Sequence, residues 1–78
     1  MRLDITNWDT DHNVSLPKVI EWLNTNLGVG DYTKNFQVFA DTWRIYREEN
    51  SVEGFYESTY WLEFDREQDG TAFLLKWS

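Results

Sequence analysis

Apolar residues recur with a helical period between Ser15 and Gly28. Leu16, Val19, Ile20, Leu23 and Leu27 fall at i, i+3, i+4, i+7 and i+11, forming one narrow stripe on a 3.6-residue helix. Ser15 stands at the N-cap, and Pro17 lies in the first turn, where a missing N–H costs little. Gly28 follows the last apolar position and can take the left-handed conformation that stops a helix. Such a helix needs a sheet to cover its stripe. Trp22 is about 120° from the centre of the stripe at 100° per residue, which puts it at the flank of the packed face.

The rest of the chain alternates with period two. Leu3 and Ile5 alternate with Asp4 and Thr6, so Arg2 to Trp8 reads as a strand. Asp9 to Val14 is polar turn material, and Gly28, Gly30 and Asp31 mark a loop after the helix. Asn35 to Glu48 is rich in strand formers. Phe36, Val38 and Ala40 share one parity there, whereas Trp43 and Ile45 have the other. A β-bulge or a tight turn near Asp41–Thr42 would return both sets to one side. A helix over Phe39–Glu49 is the competing reading, but the composition favours strand. Glu49 to Glu53 reads as a polar connection closed by Gly54. In the strand from Phe55 to Phe64, Tyr56, Tyr60, Leu62 and Phe64 face one way, and Phe55, Glu57, Thr59, Trp61 and Glu63 the other. Asp65 to Gly70 reads as a hairpin connection, with Asp69–Gly70 as its turn signal. Thr71 to Trp77 is the expected last strand, with Phe73, Leu75 and Trp77 on one face.

These elements predict an α+β fold in two layers, a single small acidic domain spanning residues 1–78. One amphipathic helix packs on a four-stranded, mostly antiparallel sheet in the order β-α-β-β-β. The pattern does not choose between placing the first strand beside the second or beside the fourth.

Composition narrows the function classes. Aromatic residues make up 18% of the chain, and each can bury roughly 150–250 Å². There is no cysteine, so neither disulfide nor thiolate chemistry is available. The net charge of −7 opposes direct contact with nucleic-acid phosphates and anionic membranes. No apolar run approaches the ~20 residues of a membrane span, and residues 1–8 have no apolar leader region, so a cytoplasmic protein is expected.

Candidate chemistry is sparse. His12 is the only histidine and has no nucleophile motif beside it, so a solvated loop histidine is expected. Asp9, Asp11 and Asn13 resemble the start of a calcium loop, as do Asp65, Glu67, Asp69 and Gly70. The first has Val14 and Ile20, and the second Lys76, where the loop would need its Gly or its final Glu. Gly28-Val29-Gly30 follows a helix rather than a strand, unlike a phosphate loop. No catalytic residue, cofactor or metal site is expected, and no small-molecule substrate.

What remains is surface. The sheet face away from the helix should carry Tyr46, Phe55 and Trp61, with Leu74, edged by Arg44, Glu57 and Glu63. Aromatics ringed by charge suit a binding surface, although cross-strand pairing alone would also account for them. The expected partner-binding residues are Trp61, Phe55 and Tyr46, with Trp22 marking a lesser contact. The expected function is that of a non-enzymatic interaction module, in the style of a small viral or accessory regulator, binding another protein or itself. The alternative is an acidic inhibitor that mimics nucleic acid and occupies a nucleic-acid-binding protein.

Overall fold

The computed structural model describes residues 1–33 and 37–77. The elements are β1 (Arg2–Asp4), α1 (Trp8–His12), α2 (Leu16–Asn26), β2 (Asp31–Tyr32), β3 (Val38–Phe39), β4 (Trp43–Val52), β5 (Phe55–Phe64) and α3 (Glu67–Lys76). The strands form one five-stranded antiparallel sheet in the order β1-β5-β4-β3-β2. The chain is thus a small α+β domain, with one more strand and two more helices than the sequence pattern predicts.

The main helix forms where its periodicity places it. Val19, Ile20 and Leu23 of α2 are buried, and Leu16 and Leu27 pack against the same core from its ends. On the sheet the core takes Val38, Trp43, Ile45, Leu62 and Phe64. The parity slip near Asp41 is resolved by a tight turn. Val38 pairs with Ile45 and Ala40 N–H donates to Trp43 O at 2.9 Å, so the described part of the expected Asn35–Glu48 strand, from Gln37 onward, holds two strands rather than one. Phe36, expected on the face of Val38, lies outside the described residues.

The expected strand at Thr71–Trp77 is α3. Glu67, Gln68, Ala72, Leu74, Leu75 and Lys76 are strong helix formers, and Thr71 is the only β-branched residue of the segment. Glu67 and Asp69 stand in the first turn and Lys76 in the last, matching the helix dipole. The Phe73-Leu75-Trp77 alternation is therefore misleading. The inward set is Asp69, Gly70 and Phe73, while Leu75 is exposed. Asp69–Gly70 makes no hairpin turn. At Gly70 a Cβ would displace the flexible end of the Met1 side chain and stand 3.2 Å from the Phe64 ring, so glycine eases the close approach of the helix.

Moving this segment out of the sheet frees a place for β1. It lies beside β5, neither of the neighbours considered from sequence, with Leu3 opposite Leu62. The first strand is also shorter than its pattern. It ends at Asp4, and Trp8, the expected strand end, opens α1, which runs on through residues expected to be turn, with Asn13 as its left-handed cap. The polar segment Glu49–Val52 continues β4, leaving a two-residue turn at Glu53–Gly54. Their φ values of 51° and 87° fit a type I′ hairpin, which suits glycine at the second position.

Candidate functional site

Strand parity divides the expected binding residues. Tyr46 lies opposite Trp61, and both are on the face away from Leu62 and Ile45, as their parity requires. That face is laced by the protein's own arginines. The Arg2 guanidinium carbon lies 3.9 Å from the Trp61 ring centroid, and Arg2 donates to the Tyr46 hydroxyl at 3.4 Å. Glu48 stands 3.9 Å from Arg2. Arg44 bridges Glu63 and Asp65, the latter at 2.7 Å. These bonds hold both guanidiniums above the ordinary arginine value, through Asp65 and then Glu63 for Arg44, and chiefly through the Tyr46 hydroxyl for Arg2. Trp61 is half-buried under this cover, and its buried indole N–H has no hydrogen-bond partner among the described residues.

Phe55 shares the parity of Trp61 but not its place. Six residues of strand separate them, about 20 Å at 3.3 Å per residue. Phe55 is at the tip of the β4–β5 hairpin, paired with Val52 and followed by Tyr56. These three are 75%, 67% and 86% exposed. From Glu48 to Ser58 every residue is exposed, so the hairpin is an arm extending beyond the helices, and the molecule measures 40 × 25 × 21 Å. Val52 was hidden because Glu49–Glu53 reads as a polar connection, and Tyr56 because it shares the parity of Leu62 and Phe64, a face that at the tip lies beyond the helices and is open to water. The available signal was Glu53–Gly54 between alternating residues, a two-residue hairpin closure.

Trp22 is in the other layer. It is half-buried at the flank of α2, edge-on to Phe73 at 5.8 Å, and lines a shallow groove of about 400 Å³ with Lys18, Lys76 and Trp77. Leu74, expected on the open sheet face, is on α3. A second cleft of about 400 Å³ lies past the end of β1, walled by Ile5, Trp8, Leu16, Pro17 and Tyr60, with Asp9 at its polar side.

Neither Asp-rich segment gathers its oxygens. Asp9 and Asp11 belong to α1, while Asp65 is drawn to Arg44 and Asp69 to Arg66 at 3.2 Å. Among the described residues no group of three or more His, Cys, Asp or Glu is placed to hold a metal ion. His12 is exposed in the last turn of α1 and stacks on Trp8 with ring centroids 3.7 Å apart. Near β1, Asp4 accepts from Thr6 Oγ1 at 2.6 Å and from Thr6 N–H at 3.0 Å, which holds its carboxyl below the usual range. Among the described residues no helix is long and apolar enough to cross a membrane.

No known protein family, curated protein or solved structure matches this chain.

Proposed function

We propose that the chain is a non-enzymatic interaction module that binds another protein, in the cytoplasm, with the β4–β5 arm as its principal contact. The observation that carries this reading is the exposure of Val52, Phe55 and Tyr56 at 67%, 75% and 86% on a projecting tip rimmed by Glu53 and Glu57. Val52 and Phe55 share one face of the tip and Tyr56 stands on the other, and large exposed side chains edged by charge are what interfaces bury, with aromatics dominating the energetics. Trp61 and Tyr46 form a second, weaker contact area on this reading, because Arg2 already covers the ring that a partner would need. Trp22 ranks last, since Phe73 takes one edge of it.

The nucleic-acid mimic is disfavoured. A mimic needs an open row of carboxylates, whereas Glu48, Glu49, Glu63 and Asp65 each stand against an arginine.

The test is affinity capture from the source cell with the parent chain and with two variants. Phe55→Ser combined with Tyr56→Ser should lose the captured partner, a weakening of about 2 kcal/mol or more. The Trp61→Ala variant should lose less. If Trp61→Ala abolishes capture and the arm variant does not, the contact lies on the open face instead. If neither variant alters capture by a folded protein, the reading is wrong.

A further inference from the structure

Strand β1 covers only part of β5. Their pairing runs from Glu63 to Trp61, and it is completed by Ile5 N–H donating to Tyr60 O at 2.8 Å and Tyr60 N–H donating to Thr6 Oγ1 at 3.0 Å. Beyond Tyr60, β5 continues to Phe55 with β4 on one side only. The two-residue turn makes Val52 and Phe55 a hydrogen-bonded pair, and bonded pairs alternate along an antiparallel ladder. By this alternation the main-chain N–H and C=O of Tyr56 and Ser58 point outward, away from β4, and among the described residues no hydrogen bond from outside the β4–β5 ladder reaches either one. This is a free template for one more strand, in line with β1.

We infer that the free edge of β5, from Phe55 to Ser58, takes an extended basic peptide segment as an added antiparallel strand. The inference rests on the arm being the binding region, and it specifies the partner's chemistry and the mode of contact. Charge selects the occupant. Glu48 and Glu49 stand against Arg2 and Arg47, but nearer the tip Glu53 and Glu57 meet no lysine or arginine among the described residues. Glu57 lies on the open face, so the incoming residue opposite it stands beside a carboxylate and is best met by Lys or Arg. Residues opposite Tyr56 and Ser58 lie on the other face. They run towards Tyr60 and the cleft walled by Ile5, Leu16 and Pro17, which suits apolar side chains. The matching segment alternates apolar and basic residues.

A second copy of the chain does not fit this edge. Antiparallel self-pairing in which Tyr56 and Ser58 exchange bonds sets Glu57 against Glu57, between chains that each carry a net charge of −7.

The experiment titrates the isotope-labelled full chain with a synthetic peptide of alternating valine and lysine, followed by amide NMR. Saturable shifts and slowed amide exchange at Tyr56 and Ser58 are expected. The same peptide with glutamate in place of lysine should produce neither. Ser58→Pro removes an outward N–H without touching the β4 ladder, so the body spectrum should persist while affinity falls about tenfold or more. Ser58→Ala should bind like the parent. Equal binding by a folded Ser58→Pro chain, shifts centred on Arg2 and Trp61, or equal response to the glutamate peptide would each overturn the inference. Should the edge fail while Phe55→Ser with Tyr56→Ser still abolishes partner capture, the arm remains the contact and only strand addition is wrong.

Discussion

Strands β4 and β5 pass through two very different environments. In the body, Trp43, Ile45, Leu62 and Phe64 are buried under α2 and α3. In the arm, the same two strands are exposed on both faces from Glu48 to Ser58. The hydrogen-bond ladder is unbroken between them, from Trp43↔Phe64 to Val52↔Phe55. Backbone pairing is therefore common to both, and what differs is the second layer. A two-stranded ribbon is marginal in water by itself. The arm holds its shape because its ladder continues that of the body and because Glu53–Gly54 closes it with the matching twist.

The comparison is tested most severely at Phe73. This fully buried ring stands 5.2 Å from Trp8, 5.8 Å from Trp22, 5.7 Å from Phe64 and 6.4 Å from Trp77, centroid to centroid. Phe73→Ala should cost about 3–5 kcal/mol, followed by Leu23→Ala at about 2–5 kcal/mol. Phe55→Ala in the arm should stay within about 0.5 kcal/mol of the parent. Thermal melts decide this, and equal losses at Phe73 and Phe55 would erase the distinction between body and arm.

A smaller effect is expected at the turn. Gly54 has φ 87°, and Gly54→Val should cost roughly 1–2 kcal/mol of left-handed strain. That strain should appear as faster amide exchange from Glu48 to Ser58, with body amides unchanged. Faster exchange throughout would mean that arm and body open as one unit.

The smallest effect concerns pH. The Asp4 carboxyl is held low by Thr6, whose hydroxyl also receives the Tyr60 N–H at the end of β1. A depressed carboxyl stabilises the fold fully above its ordinary value of about 4, and that contribution is lost as the pH falls through the lower folded value. In melts below pH 4, Asp4→Asn should flatten the acid dependence slightly. An unchanged profile would show that ionisation of Asp4 is not linked to folding.

The sequence pattern was most informative where one periodicity had no rival. The stripe of α2 and the alternation of β5 each point to a single face, and the structure follows both. It misled where two periods coincide. Phe73 and Trp77 are four residues apart, a spacing that fits either a strand face or one side of a helix, and the helix formers Ala72, Leu74 and Leu75 decide for the helix. The position of β1 was not readable, because it depends on α3 leaving the sheet. Of the candidate site, the opposite parity of Trp61 was legible from alternation. Its cover by Arg2 was not, since that contact joins residues far apart in sequence. Val52 was hidden by the charges around it, and Tyr56 by its core-face parity, since alternation does not say where the covering layer ends.

The placement of the aromatics also determines what light can report. All five tryptophans, Trp8, Trp22, Trp43, Trp61 and Trp77, lie in the body or on its open face. The arm carries Phe55 and Tyr56 and no tryptophan. Intrinsic tryptophan emission thus follows the unfolding of the body and is nearly blind to the hairpin tip. A binding event confined to the tip would leave that signal flat, so an optical assay of the arm needs its own reporter, with Tyr56 the natural position for a probe.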